Sequence, residues 1–413
     1  MKCRHCGAAL SLPLIDLGSS PPSNAYLSAA ALHAVEPWYP LRVLVCTDCW
    51  LVQTEDYARR EDLFCREYAY FSSYSASWLA HARRYVEDMV VRCRLGPDSL
   101  VAEIAANDGY LLQYVKAAGI PCYGIEPTAN TAAAARARGL EIIGEFFGVG
   151  LATRLVREGR QADLVVANNV LAHVPDINDF VAGIALLLKP GATATFEFPH
   201  LVRLVAENQF DTIYHEHFSY LSLTAVVRIC AANGLRVVDV EQLPSHGGSL
   251  RVHAVRGDAP DPAADSRVDR MLAFERDAGV CDPKFYRGLQ GRAERVKDDL
   301  LYFLIDAKRA GSRVGAYGAA AKGNTLLNFA GIRSDLLSWV ADRNPAKQGQ
   351  FLPGSRIPVV AETRIREERP DYLVVLPWNL YDEIEQQLDY VAQWGCRLVR
   401  AVPGLAVAGG GAG

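Results

Sequence analysis

Two groups of residues in this 413-residue chain have types and spacings that could do chemistry. The first is a pair of Cys-x-x-Cys knuckles, Cys3-Arg4-His5-Cys6-Gly7 and Cys46-Thr47-Asp48-Cys49. Four thiolates in two tight turns meet the tetrahedral demand of zinc, and four protein ligands leave no open coordination position. The ion expected at Cys3, Cys6, Cys46 and Cys49 is therefore structural, the competing reading being scattered buried thiols. The interval between the knuckles calls for a strand or two within it, and Gly7 supplies the backbone freedom of such a turn. Cys65, Cys93, Cys122, Cys230, Cys281 and Cys396 stand alone and read as packing residues.

The second group is Asp211-Thr212-Ile213-Tyr214-His215-Glu216-His217-Phe218-Ser219-Tyr220. An imidazole titrates near neutrality and suits a general base, while a phenol can donate to a developing oxyanion. A His-x-His pair could also ligate a metal, but no third ligand has an obvious place beside it. The bland alternative is a polar surface loop. His173, in Val170-Leu171-Ala172-His173-Val174, follows a predicted strand whose tip would line a cleft. Taken alone, a satisfied core histidine describes it better.

The elements that must position these residues fall into three blocks. Residues 1–62 hold the knuckles and a Pro/Ser-rich connection, Leu17 to Asn24. Residues 63–256 alternate short apolar runs with helical stretches, the signature of a parallel α/β sheet. Its predicted strands are 100–104, 122–125, 164–167, 192–198, 235–240 and 249–255, with Leu187-Leu188-Lys189-Pro190-Gly191 as a helix-to-strand turn. A polar segment, Gly257 to Asp265, marks a boundary. A helical stretch over 266–310 then leads into a third block, 266–405, with strands predicted at 313–316, 338–341, 372–376 and 397–401 and a frayed tail from Ala406.

The first strand of the second block ends in Glu103-Ile104-Ala105-Ala106-Asn107-Asp108-Gly109, a turn of small residues that lets backbone approach a ligand, and the next ends in Glu126-Pro127. An acid there can accept from ribose hydroxyls. A nicotinamide dinucleotide and S-adenosylmethionine compete for this site. The dinucleotide fingerprint needs three glycines and only Gly109 is present, whereas Glu103 would repel phosphates and suit a positively charged methionine end. Asn168 and Asn169 close the fourth strand. Glu103 as a mere capping acid is the alternative.

Two further turns could hold anions. Ser245-His246-Gly247-Gly248-Ser249-Leu250-Arg251 exposes backbone N–H groups beside an arginine. Tyr317-Gly318-Ala319-Ala320-Ala321-Lys322-Gly323-Asn324 runs from a strand into a helix bearing a lysine, although it lacks the Gly-Lys-Ser/Thr of a Walker motif and could be a plain turn. The net charge of −4 offers no basic excess for nucleic acid. No stretch is long and apolar enough for a membrane span and the first ten residues are too polar for a signal peptide, so a cytoplasmic location is expected.

In order along the chain, the Cys-x-x-Cys pairs, Tyr68-Ala69-Tyr70-Phe71-Ser72-Ser73-Tyr74-Ser75, the Glu103–Gly109 turn, Tyr214-His215-Glu216-His217-Phe218, His246-Gly247-Gly248 and Tyr317-Gly318-Ala319 with Lys322 are present. This series resembles the nucleotide-sugar C-methyltransferases of deoxysugar biosynthesis, among them the tetronitrose 3-C-methyltransferase. The resemblance implies an α/β protein made of a zinc-binding domain, a class I methyltransferase domain and a C-terminal Rossmann-like domain that closes over a nucleotide-linked 4-keto sugar. It implies S-adenosylmethionine as cofactor, held by Glu103, Ala105, Asn107, Gly109, Glu126, Pro127, Asn168 and Ser73. The substrate set it implies is His246, Gly247, Arg251, Tyr317, Lys322 and Asn324, meeting a dTDP- or GDP-linked sugar.

The implied mechanism is removal of the proton beside the ketone by His217, followed by attack of the enolate carbon on the sulfonium methyl. Tyr214 and His173 would steady the enolate oxygen, Glu216 would orient His217, and Tyr70 would lie near cofactor and sugar. The chain departs from the family at Ala105, usually glycine, and at His215, often an acid. An O-methyltransferase and a zinc-ribbon adaptor with degenerate α/β domains are the competing functions. A monomer or small homo-oligomer is expected.

Overall fold

The computed structural model describes residues 1–57, 59–64, 68, 70–259 and 267–408. Cys65, Ala69, the 260–265 part of the boundary segment and residues 409–413 of the tail lie outside the described residues. The chain packs into two compact units. The first gathers Met1–Leu12, Leu44–Val202 and His217–Phe285; the second gathers Pro13–Val43, Arg203–Glu216 and Tyr286–Gly413. This grouping cuts across the three consecutive blocks, because the chain leaves the first unit and returns to it.

The first unit is built on a seven-stranded sheet: β1 (Val101–Ile104), β2 (Cys122–Ile125), β3 (Ile142–Ile143), β4 (Ala162–Asn168), β5 (Leu188–Pro199), β6 (Leu235–Leu243) and β7 (Ser249–Arg256). Their spatial order is β3-β2-β1-β4-β5-β7-β6. The first five run parallel, and β7 is antiparallel to both β5 and β6. This is the class I methyltransferase order, with a switch point between β1 and β4 where the carboxyl ends of the strands open a crevice.

Both faces of this sheet are covered, which is why its strands read as apolar runs rather than alternations. Val101, Leu164 and Val166 pack on one side with Trp78, Tyr85 and Met89 of the helix Ala76–Arg92. Ala102, Ile104, Val165 and Ala167 point the other way, toward Leu155, Ile184 and Ile229 of the helices Val149–Arg157, Ile177–Leu187 and Leu223–Ala232. Gly124 in β2 is required by contact: a Cβ there would lie 2.6 Å from both the Ala106 Cβ and the Ile142 Cδ1. The strand thus admits the Asn107 turn against it only because position 124 has no side chain.

The second unit holds a six-stranded sheet: β8 (Val314–Tyr317), β9 (Val340–Ala341), β10 (Val359–Val360), β11 (Tyr372–Val375), β12 (Arg397–Arg400) and β13 (Ala406–Val407), in the order β10-β9-β8-β11-β12-β13. All pair in parallel except β13, which returns antiparallel to β12. Residues 406 and 407 are therefore paired strand rather than frayed tail.

Other local departures have identifiable causes. The predicted turn at Lys189-Pro190-Gly191 lies inside β5, where Gly191 at φ 79° accompanies a register shift against β4. The stretch over 266–310 is three helices, Arg267–Ala278, Pro283–Tyr286 and Leu289–Arg309, interrupted at Gly279 and Gly288, both in the left-handed region. The Pro/Ser-rich connection begins as a strand, Leu12–Ser20, and between the knuckles lies a second, Tyr39–Val45.

Candidate active site

The cofactor candidates converge at the carboxyl edge of the first sheet. Glu126, just past β2, clamps the turn that follows β1: its Oε2 accepts from the Asn107 N–H and its Oε1 from the Thr128 N–H, each at 2.9 Å. The Thr128 hydroxyl adds a third bond at 2.5 Å. The Thr131 side chain hydrogen-bonds the same carboxylate, so its roughly four acceptor sites serve the turn itself. Ala105 and Asn107 both lie at positive φ, 58° and 48°. That conformation, more than crowding by a methyl group, explains the family's usual glycine at 105. The Asn107 side chain ties in the preceding segment, accepting from the Ser72 N–H at 2.9 Å and donating to the Tyr70 carbonyl at 3.1 Å. Asp108 accepts from the Ser73 N–H, and Arg138 bonds the Ser73 hydroxyl.

Glu103 differs from these. It is 1% exposed, and neither carboxylate oxygen has a hydrogen-bond partner among the described residues. Burial first, then the charges of Asp108 and Glu126, hold its pKa well above the ordinary carboxylate value. Asp108, Asn168 and Asn169 each present a buried oxygen in the same condition. Three acids and unpaired acceptors at one strand edge fit a ligand with a cationic, hydrogen-bond-donating end and oppose a pyrophosphate.

Farther along this edge, His173 and His217 meet edge to face with ring centres 4.6 Å apart. Phe64 stands 5.8 Å from His173, and Tyr220 stands 6.1 Å from His217. The backbone of His217 is held from the knuckle side. Ser219–Tyr220 pairs antiparallel with Val52–Thr54, the Thr54 hydroxyl donates to the His217 carbonyl at 3.1 Å, and the Thr54 N–H donates to Phe218.

The knuckles are near copies of one another. Gly7 N–H bonds Cys3 O, and Trp50 N–H bonds Cys46 O, both at 3.0 Å with the donor residue at positive φ. The four sulfurs lie within 4.8 Å of one another, with Cys3–Cys49 and Cys6–Cys46 at 3.5 Å. Zn–S bonds of about 2.3 Å need sulfurs about 3.8 Å apart, so the set fits zinc. The hydrogen bond from Cys49 holds the Cys3 thiol down to about 4 and pushes Cys49 up. Gln53, fully buried, donates to the Cys3 sulfur at 3.3 Å and accepts from the Arg4 N–H, linking the knuckle to the strand beside His217.

His246 sits at φ 55°, its Nε2 3.3 Å from Asn169 Nδ2 and its ring 5.0 Å from Trp78. Arg251 is directed elsewhere. It is 4% exposed, pairs with Glu197 at 2.9 Å and lies over the Tyr85 ring. Glu197 also takes bonds from His81 and from Ser245, which opens the turn through His246, Gly247 and Gly248. Arg251 thus braces that turn from inside the sheet, a role its place beside two glycines did not announce.

In the second unit, Tyr214 is half-buried and Glu216 is buried, with both Glu216 oxygens accepting from Asn24 Nδ2 at 2.8 Å. His215 turns its Nε2 to the carbonyls of Tyr39 and Pro40, at 3.3 and 3.1 Å, and burial lowers its pKa. A neutral histidine serves there as a backbone anchor, which an acid could not do in the same geometry. Lys322 reaches Asn379 Oδ1 at 2.6 Å above the Trp378 ring. Burial pulls its pKa down to about 8 and raises that of Asp211, which accepts from Trp378 Nε1, to about 7. Tyr317 is buried with an unpartnered hydroxyl, and Asn324 is 1% exposed with its amide on the Ser23 carbonyl.

Comparison with known proteins supplies the class. Family models match residues 3–64 as a zinc-binding domain, 78–240 as a methyltransferase domain and 244–403 as a C-methyltransferase C-terminal domain. The C-methyltransferase NovU of Streptomyces niveus is 35% identical over 402 residues, covering 97% of this chain and 95% of NovU. The chain belongs to the C-methyltransferase family. Among solved structures, the magnesium protoporphyrin IX methyltransferase of Synechocystis PCC 6803 with bound SAM is 17% identical, covering 43% of this chain and 79% of that one, TM-score 0.33. An S-adenosylmethionine-dependent methyltransferase from Clostridium acetobutylicum is 10% identical, covering 43% and 92%, TM-score 0.36.

As a C-methyltransferase the protein depends on S-adenosylmethionine, and its four knuckle cysteines form its zinc-binding set. No described helix is long and apolar enough to cross a membrane. Neither O-methyl transfer nor a non-enzymatic adaptor describes this C-methyltransferase. Two expectations follow. Burial holds the folded Glu103 pKa well above that of the unfolded chain, so Glu103 costs stability as pH rises above the ordinary carboxylate range. Glu103→Gln should therefore raise the thermal midpoint of the free C-methyltransferase at pH 7 more than at pH 5, and weaken S-adenosylmethionine about tenfold or more by calorimetry; a lower midpoint with unchanged affinity contradicts this. Metal analysis should find one zinc per chain, and Cys46→Ser should remove it and lower the midpoint by about 5 °C or more; a zinc-free variant melting with the wild type contradicts this.

Proposed function

We propose that the enzyme C-methylates a nucleotide-linked 4-keto-6-deoxysugar, dTDP-linked and at C3, through a carbanion formed beside the ketone. The observation that supports this most directly is the His173–His217 ring contact, set along the strand edge that carries the unpartnered Glu103 carboxyl. Two adjacent imidazoles can divide one task, with one taking a proton and the other donating to the oxygen that gains charge.

In this reading His217 removes the proton from the carbon next to the carbonyl, and the negative charge moves to the carbonyl oxygen. His173 and Tyr214 donate hydrogen bonds to that oxygen, and Glu216 orients His217. Glu103, with Asn168, holds the cationic end of S-adenosylmethionine, and Glu126, clamped by Asn107 and Thr128, sets the turn beside the ribose hydroxyls. The cofactor, when bound, supplies an electrophilic methyl group to the sugar carbanion. Tyr70 and Ser73 border the cofactor turn through the Asn107 and Asp108 side chains. Within the first unit His246 and Gly247 are the candidates for the nucleotide diphosphate, Arg251 being paired with Glu197; within the second they are Tyr317 and Lys322, the latter now on Asn379, Asn324 being bonded to the Ser23 carbonyl.

The test needs no methyl transfer. In heavy water with S-adenosylhomocysteine and a dTDP-4-keto-6-deoxysugar, the enzyme should catalyse deuterium uptake next to the ketone, and His217→Ala should slow it by about 10²-fold or more. Exchange no faster than without enzyme would remove the carbanion route. Replacing the dTDP sugar by its GDP counterpart in the same assay tests the choice of nucleotide.

A further inference from the structure

The segment Ser23–Tyr26 closes the Pro/Ser-rich connection and carries no motif, yet within the second unit it is among the most firmly pinned loops. The Ser23 carbonyl accepts from Asn324 Nδ2 at 2.7 Å, and its hydroxyl lies 3.4 Å from that of Thr325. The Tyr26 hydroxyl donates to the Ala319 carbonyl at 2.5 Å, and Lys347 Nζ, on the same carbonyl at 2.7 Å, stands 5.3 Å from the Tyr26 ring centre. Between these anchors Asn24 sends its amide nitrogen to both oxygens of Glu216 at 2.8 Å. The same helix, Ala321–Ala330, fixes the approach to Glu216 as well, because the Thr325 hydroxyl donates to the Ile213 carbonyl at 2.8 Å.

We propose that Asn24 is a positioning residue for the methyl-transfer chemistry, acting through Glu216 from a strap that Asn324 and Thr325 hold in place. The chemistry of the donor supports this. Glu216 is 1% exposed and must be hydrogen-bonded to remain tolerable there. A lysine or arginine would satisfy it but cancel its charge; a primary amide nitrogen centred on both oxygens shares an N–H between them and leaves the negative charge in place. Asn324, placed by its motif in the substrate set, is committed to the strap instead.

This inference rests on the reading of Glu216 and His217 given above, and its test separates the two. In the deuterium-exchange assay Asn24→Ala should be slower than wild type by about tenfold, and Asn24→Asp, which keeps the shape but opposes two carboxylates, slower still. S-Adenosylhomocysteine affinity should stay near wild type, whereas the thermal midpoint should fall in both variants because buried Glu216 loses its donor. In a Glu216→Gln background, Asn24→Ala should change the rate by less than about twofold, since its effect passes through the group already altered. A purely structural loop would slow both backgrounds equally. Wild-type exchange in Asn24→Ala and Asn24→Asp, or an undiminished effect beside Glu216→Gln, overturns the role of Asn24 while leaving the carbanion route intact. Absence of exchange in the wild type overturns both. Should Asn24→Ala fail to fold, the near-isosteric Asn24→Asp and its Glu216→Gln double mutant supply the same comparison.

Discussion

A carboxyl group buried at the end of β1, with no hydrogen-bond partner among the described residues, is the constraint on which the first unit turns. Removing a lone carboxylate from water costs several kcal/mol, and Glu103 has Asp108 and Glu126 nearby to raise that cost. The free fold responds by keeping the proton. A cationic ligand would remove the need, which is the charge match on which the proposed placing of S-adenosylmethionine at Glu103 rests. The surrounding turn is arranged to keep this acid unsatisfied. Glu126 is occupied with the Asn107 and Thr128 amides, Asp108 with Ser73 and Arg138, and Gly124 lets the turn lie close to β2.

The histidine segment is governed by a different kind of force. His217 and its neighbours are held by main-chain bonds from Val52–Thr54, a strand that begins three residues after the second knuckle. Gln53 ties that strand to the Cys3 sulfur. A closed four-thiolate site has no vacancy for chemistry, but rigid knuckles give a short, otherwise marginal pairing a fixed reference. The zinc set thus bears on His217 by fixing backbone. On the other side of the peptide bond between Glu216 and His217, the support comes from side chains, Asn24 among them.

Much of the fold was legible because two-sided burial makes parallel strands read as apolar runs: β2 runs over the predicted residues, and β4, β5 and β7 differ mainly at their ends. The strands Ile142–Ile143 and Val359–Val360 were too short to leave a pattern, and Leu12–Ser20 was hidden by Pro13, Gly18 and its two serines. At the site, Glu103, Glu126 and the cysteines were visible because their chemistry is local. Arg251 and Asn324 were placed by their glycine-rich surroundings, and sequence carries no sign that their partners are Glu197 and Ser23, far away along the chain. Asn24 was invisible for the same reason, since its meaning is its contact with Glu216. His215 reads as a departure from an acidic position until the Tyr39 and Pro40 carbonyls explain it.

The central claim is that the methyl group goes to carbon rather than oxygen on a keto sugar. The direct measurement is carbon NMR of the product formed from S-adenosylmethionine labelled with ¹³C in its methyl group and a dTDP-4-keto-6-deoxysugar labelled with ¹³C in the ring. A one-bond carbon–carbon coupling between the new methyl and the ring carbon beside the ketone is the predicted result. A methoxy signal without that coupling would contradict it.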